Sequence, residues 1–355
     1  MPNPINGIRQ TLAIRKATAW GTALACGVGH GLFFLSGQAK RDAAVESDES
    51  RGRSFTVDGT AGPITGGGTY TFNLRYESMD LLIAAFMGIA GVPAQQAATT
   101  AYKNIYKFSP DIYGTFITLA KGLINYIEEI PTAKVAAITL SGEVGAKPLQ
   151  LSVELIGINR EIASAINTLA TYANVTVPTG GDVLPVMYSH LQFRMNDQSA
   201  IALAVGDVIR PNKFTLSLKR NLKGEHTGEF RTTGANPQDL IDEPVNDGLP
   251  ELTLTLEFPT HTATTYMTAL GSDTRKKMDI TATGALIAST YYYQHLLQLP
   301  HLQLKNVNPT DDKGRIKEPL EFIVHGASAA PAGMTGITDP LWWTVVNKRT
   351  TDPLA

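Results

Sequence analysis

The chain has 355 residues, 43% of them hydrophobic and 17% charged, which permits a packed core and excludes wholesale disorder. With 30 basic against 32 acidic residues the net charge is −2, which argues against a dedicated nucleic-acid binder, since phosphate contacts demand a basic surplus. The single cysteine, Cys26, rules out an intramolecular disulfide and any zinc site built on several thiolates. Set among Ala23, Leu24, Ala25 and Val28, it reads as a small core residue.

From the N-terminus, Arg15 and Lys16 precede an apolar stretch over residues 17–35 that superficially resembles a signal peptide. Gly27, Gly29, His30 and Gly31 interrupt it, Phe33 and Phe34 stand where small residues would precede a cleavage site, and Ala23 occupies the Leu position of a lipoprotein signal. No other window approaches the roughly 18 apolar residues of a membrane helix. A soluble, uncleaved chain is expected.

Strands follow from period-two alternation. Phe55 and Val57 begin the series. Over 69–76, Tyr70, Phe72, Leu74 and Tyr76 face one way and Thr69, Thr71, Asn73 and Arg75 the other. Residues 149–155, 214–218 and 251–258 follow suit, the last with Leu252, Leu254, Leu256 and Phe258 inward. One polar face on each predicts antiparallel strands. Two stretches read as helices. Ser78 caps one that runs through Leu81, Ile83 and Met87 and stops at Gly88. The other spans 161–173, with Ile162, Ile166, Leu169 and Ala173 at helical spacing. Followed by Pro178, Gly180 and Gly181, it is expected to connect two halves.

The second half echoes the first. Ala23-Leu24-Ala25 and Gly27 return as Ala202-Leu203-Ala204 and Gly206. Phe34 and Leu35-Ser36 return as Phe214 and Leu216-Ser217, and Lys40-Arg41-Asp42 as Lys219-Arg220-Asn221. Residues 130–157 align without gaps on 299–326, placing Gly145 on Gly314 and Leu151, Val153 and Leu155 on Leu320, Phe322 and Val324. The shared order of these signals, rather than identity at any one strand, predicts an internal duplication. The expected fold class is all-β with a few short helices, as two tandem β-barrel or sandwich domains. Their expected bounds are 1–157, a helical linker over 158–182, a second domain over 183–330, and a C-terminal arm over 331–355.

Catalytic chemistry finds no foothold. The seven histidines form no close metal pair, and Gly27-Val28-Gly29-His30-Gly31 and Gly66-Gly67-Gly68 lack the rest of a phosphate-binding fingerprint, so they read as turns. No cofactor, metal or catalytic residue is expected. Asp311, Asp312, Lys313 and Gly314 have too few spaced oxygen ligands for calcium and read as the tip of a hairpin, as does the turn bounded by Gly142 and Gly145. Lys213, Lys219, Arg220 and Lys223 make a basic cluster expected at a charged strand edge or subunit contact. Trp342 and Trp343 lie outside the repeat, and either fold back on the barrel or anchor a neighbouring subunit.

Three stretches carry a family resemblance: residues 51–57 leading into Gly59, a strand and the apolar helix ending at Gly88; 196–220, with Gly206-Asp207 before Phe-Thr-Leu-Ser-Leu; and Pro331 to Met334 after the last strand. In these the chain resembles the tail tube proteins of long-tailed phages, in the branch where one chain carries two tube domains. The resemblance implies a structural, non-enzymatic virion protein whose barrels assemble into stacked rings around the genome channel. Six barrels per ring would then need three chains, with the tape measure protein and transiting DNA in the lumen and terminator and baseplate proteins at the ends. The hairpins at Gly142, Gly145 and 311–314, with Trp342 and Trp343, are the candidate contacts between subunits. The alternative is a virion β-sandwich binding module, for which Tyr291-Tyr292-Tyr293 or Trp342-Trp343 would supply the exposed aromatics.

Overall fold

The computed structural model describes residues 10–47, 55, 59–145, 147–178, 184–226, 240–261 and 264–355. It is mostly antiparallel β-structure. The main strands of the first half are β1 (Thr11–Lys16), β2 (Ser36–Ser47), β3 (Gly59–Asn73), β4 (Tyr102–Phe108), β5 (Ile117–Leu123), β6 (Tyr126–Glu143) and β7 (Gln150–Gly157), with helix α1 (Asp80–Met87) after β3. A short helix, α2 (Leu169–Tyr172), precedes the second half. There follow β8 (Leu191–Asp197), β9 (Lys213–Lys219), β10 (Glu251–Phe258), α3 (Thr265–Gly271), β11 (Lys276–Ala288), β12 (Tyr291–Val307), β13 (Arg315–His325) and β14 (Trp342–Asn347).

Strand order repeats. In the first half hydrogen bonding runs β2-β3-β7-β6-β5-β1, and β1 then takes the two-residue strand Gly31–Leu32. In the second it runs β9-β10-β13-β12-β11-β8, and β8 takes Val208–Ile209. Even an irregularity recurs: β5–β6 shifts register between Ile117 and Leu119, and β11–β12 between Lys276 and Met278. The gapless alignment of 130–157 on 299–326 holds for that hairpin, where Leu119 faces Ile130 as Met278 faces Leu299. On the other edge it slips, because Ala133 faces Gly157 while its counterpart Leu302 faces Val324 instead of Gly326. A slip of one pleat period keeps every side chain on its face, so both cores survive it. A stretch over 88–116 that contains β4 has no counterpart between α3 and β11.

The alternating residues are the core. Tyr70, Phe72 and Leu74 meet Leu151, Val153 and Leu155 in one half, and Leu252, Leu254 and Leu256 meet Leu320 and Phe322 in the other, all buried. Each such aliphatic side chain contributes about 1.5–3 kcal/mol when removed from water. Cys26 is buried beside Ala13, Ala120, Ile127 and Tyr172, where desolvation pushes its thiol up to about 12.

Several expectations are corrected. The helix over 161–173 shrinks to α2, and Ile162, Ile166 and Leu169 are exposed. Ser164 Oγ accepts from the backbone of Ile166 and Asn167, and Thr168 caps α2, so side chains compete with helical bonding upstream. The linker instead packs on the first half, with the Tyr172 hydroxyl donating to the Thr11 and Ala120 carbonyls. Helix α1 begins at Asp80, and Ser78 does not cap it: Ser78 Oγ donates to the Glu77 carbonyl. Gly88 does stop it, in the left-handed conformation. Phe55 is 83% exposed, and Val57, Gly180 and Gly181 lie outside the described residues.

Gly66-Gly67-Gly68 is not a turn. It lies inside β3, paired on both sides with β2 and β7. A Cβ on Gly67 would stand 2.4 Å from the Leu155 carbonyl oxygen, and one on Gly68 2.2 Å from that of Gln38. Glycine is required there because three backbones approach where no side chain fits. Gly68→Ala is expected to destabilise the chain by on the order of 3 kcal/mol, read as a lowered melting temperature with far-ultraviolet circular dichroism.

Candidate assembly interface

The halves are joined by a strand seam. Beyond its pairing with β5, the same edge of β6 takes β9 antiparallel, with Ile138 opposite Leu218, Leu140 opposite Leu216 and Gly142 opposite Phe214. The ladder continues past both strands, Val144 N–H donating to the Asn212 carbonyl and Arg220 N–H to the Ala136 carbonyl, both at 2.8 Å. Gly142 is therefore part of a strand and not of the hairpin tip. A Cβ there would press to 2.3 Å from Leu149 and 3.0 Å from Phe214, so its absence makes room for the Phe214 ring. Gly145 does lie exposed beyond the strand end.

The basic cluster divides. Lys213 and Lys219 are exposed and Lys223 pairs with Glu225, but Arg220 is only 2% exposed. Its Nε donates to the Phe86 carbonyl at 2.8 Å and its Nη2 to that of Met87 at 3.2 Å. Its guanidinium lies 4.0 Å from the Phe108 ring centroid. A cation from the second half thus satisfies the open carbonyls at the C-terminus of α1, where the helix dipole also favours it. Burial draws its pKa down to about 10. Lys134 of β6 crosses the junction the other way, its Nζ 2.6 Å from Glu243 and 2.8 Å from the Pro244 carbonyl. Desolvation lowers the pKa of this ammonium against the pull of Glu243.

A third tie is β14, which pairs with β4 on one edge and β12 on the other and so stitches the C-terminal segment between the halves. Trp343 is fully buried there, which corrects its assignment as a contact for a neighbour: no surface of it is left to offer. Its Nε1 donates to His295 Nδ1 at 3.1 Å, and His295 Nε2 lies 3.0 Å from the Arg75 carbonyl. An indole N–H only donates, so Nδ1 carries the lone pair and Nε2 the proton. Below it, Asp80 accepts from Tyr106 and Asn347 in a buried network. Trp342 is half-buried, under the Lys107 ammonium at 4.3 Å. Tyr291, Tyr292 and Tyr293 alternate along β12, with Tyr293 buried, and form no aromatic platform.

The second predicted hairpin stands clear of the body. Thr310–Asp312 pairs with the start of β13 through a turn at Lys313 (φ 54°) and Gly314 (φ 83°), the left-handed pair of a type I′ turn. Asp311, Asp312, Lys313 and Gly314 are all exposed. Asp312 is held by Lys317 at 2.7 Å.

With the doubled strand order in view, the comparison with known families is decisive: the family model described as phage tail tube protein matches residues 7–339. The chain belongs to the phage tail tube protein family. No curated protein matches it. Family membership makes it a structural component of the virion tail.

For a tube protein the chemistry that matters is unpaired backbone, and two edges stand out. Among the described residues no strand pairs with the outer edge of β2, or with the β6-like edge of β12 beyond Leu302. Sequence reading missed both edges, although the repeat order itself held the signal: β2 and β9 are counterparts, yet only β9 has its seam.

Two outcomes test the junction. Arg220→Ala takes the side-chain donor from the Phe86 carbonyl, leaves the Met87 carbonyl only its bond from Ser109 N–H, and opens a void between rings; it is expected to cost about 2–4 kcal/mol in urea unfolding. Burial also holds His295 at about 4 against an ordinary 6.5. As pH falls from 6.5 towards 4 the unfolded chain takes up a proton that the folded chain refuses. Stability is therefore full above about pH 6.5 and declines by on the order of 3 kcal/mol towards pH 4. Melting curves across that window should lose this slope in His295→Gln.

Proposed function

We propose that this tail tube protein is an internally duplicated subunit, three copies of which close a ring of six barrels. Rings then stack into the hollow tube that delivers the genome. The observation that carries the reading is the repeated strand order joined end to end: the terminal strand of the second unit's ladder, β9, completes the edge of β6 in the first. A heterologous contact of this kind generates closed rings when its rotation permits, and closure covers strand edges that would otherwise aggregate.

In the stack, Gly145 and the 311–314 hairpin reach between rings. The tape measure protein and DNA occupy the lumen without tight binding, in keeping with a net charge of −2. Terminator and baseplate proteins meet the tube ends, and assembly takes place in the host cytoplasm. In this reading the units part near residues 157 and 183, with the C-terminal arm bridging both.

Negative-stain microscopy of the purified chain tests the reading. Six-lobed rings or hollow tubes with three chains per ring are expected; a monodisperse monomer at high concentration, or six chains per ring, refutes it.

A further inference from the structure

We propose that the next copy docks by repeating the intrachain seam: the outer edge of β2 adds to the β12 edge at Gln303–Val307 of a second copy, with Leu35 in the place of Phe214 and Arg41 in the place of Arg220. This deepens the ring reading and rests on it. The correspondence comes from pairing geometry. Leu216 faces Leu254, which faces Phe322, and Gly37 faces Tyr70, which faces Val153. Since Val153 and Phe322 are counterparts, so are Gly37 and Leu216. Sequence comparison had placed Leu35 against Leu216; the ladder puts Leu35 level with Phe214 and confirms Arg41 against Arg220.

Among the described residues, each counterpart is then a group without the partner that its equivalent has in the seam. Phe214 is 1% exposed in its seam, whereas Leu35 is 50% exposed. Arg220, just past β9, is buried on the last carbonyls of α1, whereas Arg41, within β2 opposite Gly66, is exposed. The helix matching α1 is α3, packed on β12 as α1 packs on β6. Its last turn is closed only by its own following residues, Ser272, Asp273 and Thr274, Leu270 beside it is 39% exposed, and among the described residues no cation from the far half reaches it as Arg220 reaches α1. On the receiving strand Leu304 and Val307 point inward, as Ile138 and Leu140 do in β6. The edge of β2 is met from within its own chain at Gly37, whose carbonyl accepts from Lys121 at 2.9 Å, and this bond must yield or be shared. In the docked pair, Ala39 falls opposite Leu304, Gly37 opposite Val307 and Ser36 opposite Asn308. The Arg41 guanidinium of one copy then comes level with the C-terminus of α3 in the next, where the helix dipole favours a cation.

The test compares Arg41→Glu with a cysteine pair. Because Arg41 is exposed, Arg41→Glu should leave the chain's melting temperature unchanged while reducing ring and tube yield by roughly tenfold or more. Arg220→Ala, by contrast, lowers the melting temperature. In Ser36→Cys/Asn308→Cys, mild oxidation with diamide should link chains into a ladder that ends at a covalent trimer. Cys26, 2% exposed, supplies no competing thiol. Full tube yield from Arg41→Glu, or tubes of the double variant that never cross-link, overturns the seam and leaves the tube reading standing. Cross-linked closed trimers that never stack keep the seam and overturn the tube.

Discussion

An edge strand carries a row of backbone donors and acceptors that must be paired, and β6 is longer than one barrel needs. Its 18 residues serve β5 along the first part of one edge and β9 along the second, with β7 opposite. Much of what couples the halves depends on that shared strand. Once β9 is hydrogen-bonded to β6, Arg220 is carried to the end of α1, Phe214 is laid over Gly142, and Lys134 meets Glu243. Remove the ladder and Arg220 loses the α1 carbonyls and Lys134 its carboxylate, which leaves two cations without their hydrogen-bond partners.

The polar groups at the junction show how the interface stays specific. Arg220, Lys134 and His295 are buried, and each is satisfied by carbonyls or a carboxylate from the other half. Buried polar contacts add little net stability over apolar ones of equal size, but leaving one unsatisfied is costly. Such groups therefore penalise any misaligned docking of the halves. Trp343 and β14 add an apolar strap over the same junction, which makes the two units inequivalent: only one barrel edge carries the C-terminal strand.

Much of this was readable in the residues. Alternation over 69–76 and 251–258 named the strands because one face of each meets a core and the other water. Gly88 named a helix stop because only glycine enters the left-handed conformation without strain. What failed was local in cause. The spacing of Ile162, Ile166 and Leu169 mimicked a helix, but Ser164 and Asn167 hydrogen-bond the backbone themselves. Gly66-Gly67-Gly68 mimicked a turn, because composition cannot tell a chain reversal from a place where three backbones crowd together. The Arg220 side chain read as surface charge, since nothing in its neighbours announces a helix end from another half.

By itself the sequence determined the all-β class, the inward residues and the repeat, because period-two patterning and punctuation are local properties of the chain. It also determined the 311–314 hairpin, whose turn chemistry is contained in its own residues. Only the tertiary structure decided which strand edges are paired and which are left open. Edge pairing is a relation between segments far apart in the chain, and identical strand patterns can be interior in one unit and terminal in the other. So β9 and β2, counterparts in strand order, end in different states: one sealed against β6, the other facing outward.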